Sequence, residues 1–176
     1  MEQRPFFDLS YLAHGTQKQQ RVFELLTNNY IFEILRPFSP VLTGTIPLDI
    51  DTDTSDLDII CCFQESSVFQ QLIYENWQTA AGFSVKSYTI NKRPTILARF
   101  YLDEIPVEIF GQNRPTDQQE AYKHLLIEDH LLKKYGEPFK LQVKELKSKG
   151  WKTEPAFAKL LHLEGDPYLA LLNMTR

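Results

Sequence analysis

Apolar residues along this chain switch between helical spacing, alternation and short unbroken runs, and each switch marks a predicted element. Thr16 and Gln19 have capping-box spacing ahead of a helix carrying Val22, Leu25, Leu26 and Phe32, which Arg36-Pro37 ends near Leu35. Pro40-Val41-Leu42-Thr43 reads as a short strand entering a Gly44-Thr45 turn, and the run from Asp56 to Phe63 reads as a buried strand. Val68, Phe69, Leu72, Ile73 and Trp77 then share one helical face, with Gly82 as the stop. Three strands follow at residues 84–90, 95–102 and 105–110. The breaks Asn91-Lys92-Arg93-Pro94 and Asp103-Glu104 are too short for crossovers, so these strands should form antiparallel hairpins.

Beyond them the spacing is helical to the end. Asp117 and Glu120 have the spacing of a second capping box, for a helix running to Tyr135 before Gly136. Further helices are expected between Pro138 and Gly150, between Thr153 and Leu163, and from Asp166-Pro167 onward, with Pro155 and Pro167 in first turns. The pattern predicts an α/β (α+β) fold: a mixed, mainly antiparallel sheet flanked by helices, with a helical C-terminal tail. Residues 1–116 would form the core and residues 117–176 a helical region packed on it, as one compact unit. No internal repeat, low-complexity stretch or Gly/Ser linker interrupts this order.

Composition narrows the class. The chain has 176 residues, 43% of them hydrophobic and 12% aromatic, enough for one sizeable core and short for two. No apolar stretch approaches the roughly 20 residues of a membrane span, and Met1-Glu2-Gln3-Arg4-Pro5 lacks a signal-peptide core. Adjacent Cys61 and Cys62 would face opposite sides of their strand, which argues against pairing and fits a reducing cytoplasm. A net charge of −4 argues against general nucleic-acid binding. One segment runs the other way. Between Lys133 and Lys152 seven lysines stand against two glutamates, and Lys140, Lys144 and Lys147 form a helical stripe. A solvated helix face is the ordinary explanation of such a stripe, and an anionic partner the alternative, leaving nucleic acid open there alone.

The candidate chemistry lies in carboxylates. Asp56 and Asp58 flank Leu57 at the head of the buried strand, and residues two apart in a strand share a face. They should therefore point the same way, with Cα atoms about 6 to 7 Å apart, and such a pair can hold hard divalent cations. Glu108 sits mid-strand between Val107 and Ile109, where a carboxylate either faces solvent or is paired or metal-bound. His14, His124, His130 and His162 show no close zinc-ligand spacing, and His124 and His130 are expected to be packing or surface residues. Asp49, Asp51 and Asp53 fit the first positions of a calcium loop, but Thr54 and Ile60 stand where it needs Gly and Glu.

Thr43-Gly44-Thr45, then Ser55-Asp56-Leu57-Asp58-Ile59, then Val107-Glu108-Ile109 resemble the signature of the DNA polymerase beta superfamily of nucleotidyltransferases, over about residues 17–112. More narrowly, the whole chain, including Lys152-Thr153-Glu154-Pro155 and Gly165-Asp166-Pro167-Tyr168, is similar to a bacterial family of nucleotidyltransferase-like proteins of unknown function. The resemblance implies a nucleotidyltransferase-like fold. It also implies metal-dependent transfer of a nucleoside monophosphate from a triphosphate, ATP first among them, to an acceptor hydroxyl with release of pyrophosphate. Asp56, Asp58 and Glu108 would be catalytic and would ligate Mg2+ or Mn2+, and Gly44, Thr45 and Ser55 would bind phosphate.

The segment joining these parts differs from many relatives. Pro47 disfavours a helix interior there, and Asp49, Asp51 and Asp53 would repel a triphosphate unless they face away or bind cations. Lys18, Lys92, Arg93 and Arg99 could supply the missing positive charge, but nothing in the spacing selects among them, and each is a surface residue in the first instance. Two hypotheses follow. One is an active nucleotidyltransferase, favoured by retention of all three carboxylates. The other is a non-catalytic protein of the same fold that binds a nucleotide, metal or protein partner.

Overall fold

A computed structural model describes residues 6–174, so the N-terminal segment Met1–Pro5 and the end of the expected last helix lie outside the described residues. Helices α1 (Ser10–Ala13), α2 (Gln17–Asn28) and α3 (Ile31–Leu35) lead into strand β1 (Val41–Thr43) and strand β2 (Leu57–Cys62). Helix α4 (Ser66–Trp77) is followed by β3 (Ser84–Ile90), β4 (Arg93–Leu102) and β5 (Ile105–Gln112). Helices α5 (Glu120–Ser148), α6 (Thr153–Leu160) and α7 (Pro167–Asn173) complete the chain. Among the described residues no helix is long and apolar enough to cross a membrane.

The five strands form one sheet in the order β1-β2-β5-β4-β3. All neighbours are antiparallel except β2 and β5, which run parallel. The expected mixed, mainly antiparallel sheet flanked by helices is the observed one. Alternation along the central strands builds two cores. Leu57, Ile59, Cys61, Val107 and Ile109 face one core, shared with α1 to α4. Val41, Ile60 and Phe110 face the other, shared with α5, α6 and α7.

Two local expectations are corrected. The helix expected to reach Leu35 stops at Asn28. Asn29 donates from both its backbone and its side-chain amide to the Leu25 carbonyl, and Tyr30 turns left-handed at φ 54°. Asp117 and Glu120 form no capping box, because Thr116–Gln118 is a 3-10 turn and Gln119 caps α5. The Gln119 amide instead donates to the carbonyls of Cys61 (2.9 Å) and Arg114 (3.0 Å), tying the start of α5 to the sheet. The stop expected before Gly136 is present: with φ 71° and ψ −166°, Gly136 is a kink separating two helical stretches within α5.

The lysine stripe is not a solvated face. Lys140 and Lys144 reach across to Asp49 at 2.6 and 3.2 Å, and Lys18 pairs with Asp51 at 2.8 Å. These contacts account for two of the three acids between Gly44 and Asp56. Residues 46–49 form a turn that buries Ile46 in the first core and Leu48 in the second, together with Ile50. Burial works against charge on Asp49, but hydrogen bonds and Coulombic attraction from Lys140 and Lys144 outweigh it and hold its pKa below the ordinary carboxylate value.

Gln19 of α2 holds the turn from the other side. This buried side chain accepts from Thr16 N (2.9 Å) in the expected capping box and donates to the carbonyls of Ile46 (2.8 Å) and Pro47 (3.3 Å). Gln19→Ala would leave those carbonyls buried without their donor. It should lower the unfolding free energy by about 1 to 3 kcal/mol, read from urea denaturation. A change below about 0.5 kcal/mol would show that the turn holds itself.

Candidate active site

The parallel pairing of β2 with β5 sets Asp58 directly opposite Glu108, and the antiparallel pairing of β1 with β2 sets Thr43 opposite Asp58. Directly opposed residues project to the same side of a sheet. Asp58 and Glu108 therefore stand side by side on the face covered by α5 to α7. Asp56, one residue ahead of β2, is close enough to act on Asp58 electrostatically. Burial pushes the Asp58 carboxyl up to about 7, with Asp56, Glu108 and Glu154 adding to the shift and Lys147 opposing it. The fold brings the three predicted acids together.

Gly44 completes the contact from β1. Its φ is +74°, and a Cβ there would run into the Asp58 carboxylate, with Cγ at 3.2 Å. Only glycine lets the backbone turn here and lie against the acid. Thr45 and Ser55, the other predicted phosphate ligands, brace one another: Thr45 Oγ1 donates to Ser55 Oγ (3.2 Å), which also accepts from Thr52 N (2.9 Å). These bonds close the loop between β1 and β2 directly before Asp56.

The nominated cations divide. Arg99, opposite Glu108 on β4, directs both Nε and Nη2 to Glu108 Oε2 at 2.7 Å, a charge-assisted pair. Lys18 is committed to Asp51, and Lys92 and Arg93 are exposed at the β3–β4 turn. Sequence reasoning set Lys147 aside with the stripe and did not single out Arg114. Lys147 is half-buried, its Nζ donating to Thr153 Oγ1 at 2.9 Å. Desolvation lowers its pKa against the pull of Glu128, Glu154, Asp51 and Asp56. Arg114, just past β5, has a buried Nε without a hydrogen-bond partner.

Two clefts meet at Glu108. The larger, about 320 Å³, lies between the sheet and the C-terminal helices and is lined by Gly44, Asp58, Glu108 and Arg114, with His124, Glu128 and Glu154 on its helical wall. The smaller, about 180 Å³, is lined by Asp56, Ser84, Arg99 and Glu108. His124 was expected to be a packing or surface residue, and Glu128 was not singled out. Their i, i+4 spacing on α5 was the available signal, and Glu154 joins them only through the packing of α6.

Residues 24–174 match the model of the family described as Domain of unknown function (DUF4269), and the chain belongs to that family. No curated protein matches it. Among solved structures it is similar to the GLD-2/RNP-8 complex, with TM-score 0.54 and 16% identity over 85% of this chain and 60% of that one. It is also similar to Cid1 poly(U) polymerase bound to magnesium and 3'-dATP, with TM-score 0.54 and 15% identity over 79% of this chain and 45% of that one. The polymerase core of TRAMP, an RNA surveillance complex, has TM-score 0.50 and 11% identity over 93% of this chain and 50% of that one. The chain thus spans about half the length of these nucleotidyltransferase neighbours and shares their fold.

The raised Asp58 carboxyl carries a stability signature. Between about pH 4 and about pH 7 the unfolded chain loses this proton while the folded protein keeps it, so stability falls as pH rises through that window and stays reduced above it. In chelator at about pH 8, Asp58→Asn should melt above wild type, and the gap should close as pH falls toward about 4. Thermal melts across that range test this, and a wild type at least as stable as the variant at the upper pH would contradict it.

Proposed function

We propose that this family member is a metal-dependent nucleotidyltransferase that moves a nucleoside monophosphate from a triphosphate to an acceptor hydroxyl, releasing pyrophosphate. The observation that supports it most is the register that sets Asp58 beside Glu108, with Asp56 acting on Asp58 and the Gly44 backbone against its carboxylate. Three oxygen-donor side chains, Asp58 among them with its pKa raised to about 7 by burial and like charge, suit a hard divalent ion such as Mg2+ or Mn2+. Bound there, such ions would lower the pKa of the acceptor hydroxyl and neutralise charge on the leaving pyrophosphate.

The chain's own residues have separable tasks in this account. Asp56, Asp58 and Glu108 would hold the metal, and Arg99, bonded to Glu108 Oε2, fixes the rotamer of that carboxylate. Gly44 admits the phosphates beside Asp58, and Thr45 and Ser55, joined through their hydroxyls, hold the loop that carries it. Lys147 and Arg114 supply positive charge that the nominated surface cations do not. The clefts on either side of Glu108 would seat the triphosphate and the acceptor, so that the reacting oxygen and phosphorus meet beside the metal. The division into a core of residues 1–116 and a helical region of residues 117–176 follows, the second part being the wall that closes the larger cleft. ATP is the first triphosphate to test.

Purified protein incubated with each labelled nucleoside triphosphate, Mg2+ or Mn2+ and a panel of hydroxyl acceptors should release pyrophosphate. Asp58→Asn should lower the rate by about 100-fold or more, with the melting temperature retained or raised in chelator. Gly44→Ala should lower it by obstructing the phosphates. Nucleotide binding without pyrophosphate release under every condition would favour the non-catalytic alternative, and absence of both would reject the proposal.

A further inference from the structure

The helical wall of the larger cleft contains a second group of ligand-type side chains that the proposed transfer does not use. His124 and Glu128 lie one turn apart on α5, and Glu154 stands in the first turn of α6. One donor atom from each falls within 4.8 Å of the other two. His124 is 7% exposed and Glu128 4% exposed, yet His124 Nδ1 and Glu128 Oε1 are both buried without a hydrogen-bond partner. The nearby ammonium of Lys147 attracts Glu128 electrostatically but makes its hydrogen bond to Thr153, not to either of these atoms.

A buried carboxylate and a buried imidazole nitrogen that both lack partners are costly, and an apolar pair would fill the same space more cheaply. Two such orphans converging with a second carboxylate on one cavity call for a shared electrophile. We propose that His124, Glu128 and Glu154 form a binding site for a first-row divalent transition ion, with zinc as its probe, separate from the carboxylates of Asp56, Asp58 and Glu108.

The donor set selects the class of ion. One imidazole and two carboxylates suit zinc and its first-row neighbours, whereas magnesium prefers oxygen ligands and keeps much of its water. His124 and Glu128 supply a rigid pair from a single helix face. Glu154, half-buried on a separate helix, is the member that closes on the ion, so occupancy would also pin α6 against α5. The charge of the cleft changes too. Two carboxylates facing a site meant for a triphosphate become a neutral unit once a dication lies between them, leaving only the Asp56, Asp58 and Glu108 group to be balanced by the other ions.

The test is zinc binding to the metal-free protein in competition with a chromophoric chelator, with about millimolar Mg2+ present to fill oxygen-only sites. Wild type should bind one zinc. Glu154→Gln and His124→Asn should each weaken that binding by about 100-fold or more, while Asp58→Asn and Glu108→Gln leave it within a few-fold of wild type. Circular dichroism would check that each variant is folded, and the half-buried Glu154 provides the variant least exposed to a folding defect. No zinc bound by wild type, equal binding by folded Glu154→Gln, or loss of zinc in Asp58→Asn would each overturn the site. None of these outcomes depends on nucleotidyl transfer, so this site and the proposed reaction can fail separately.

Discussion

The parallel pairing of β2 with β5 is the constraint on which the rest of the molecule turns. Its register puts Asp58 beside Glu108, Leu57 beside Val107 and Ile59 beside Ile109. Because side chains alternate, a slip of one residue would carry Glu108 to the opposite face and Ile109 out of its core. The hydrophobic cores on the two faces therefore enforce the acid pairing. A packing preference shared by many residues holds in place a charge arrangement that no carboxylate would choose by itself.

That arrangement determines what surrounds it. Asp58 is driven toward neutrality, and Arg99 takes Glu108. Lys147 sits among four acids that favour its charge, while desolvation lowers its pKa. The acids of the preceding loop are withdrawn from the problem by lysines brought from elsewhere: Lys140 and Lys144 from the far half of α5 for Asp49, and Lys18 from α2 for Asp51. The C-terminal helices thus do more than cover apolar sheet. They neutralise the loop that carries Gly44, and they form the wall of the cleft that faces the acids.

Legibility in the sequence followed the range of the interactions. That Asp56 and Asp58 should share a face could be read because period-2 alternation is local, and the polar breaks at residues 91–94 and 103–104 punctuate the hairpins. The Thr16–Gln19 cap could be read for the same reason. The place of Glu108 beside Asp58 could not be read, because it rests on the register of β5 against β2. The break at Tyr30 could not, since it depends on a left-handed tyrosine that propensity disfavours. The partners of Asp49 lie more than 90 residues away, so its lysines looked like a solvated stripe. His124 and Glu128 looked like ordinary helix residues until the packing of α6 brought Glu154 to them.

The central claim is that Asp56, Asp58 and Glu108 act together as a hard-cation site. Crystals grown with Mn2+ and a non-hydrolysable nucleoside triphosphate, measured for manganese anomalous scattering, address it most directly. The account predicts a peak about 2.1 Å from carboxylate oxygens of both Asp56 and Asp58, with Glu108 turned toward it and triphosphate density beside Gly44. Nucleotide bound with no manganese at these acids, or manganese bound only elsewhere, would contradict it.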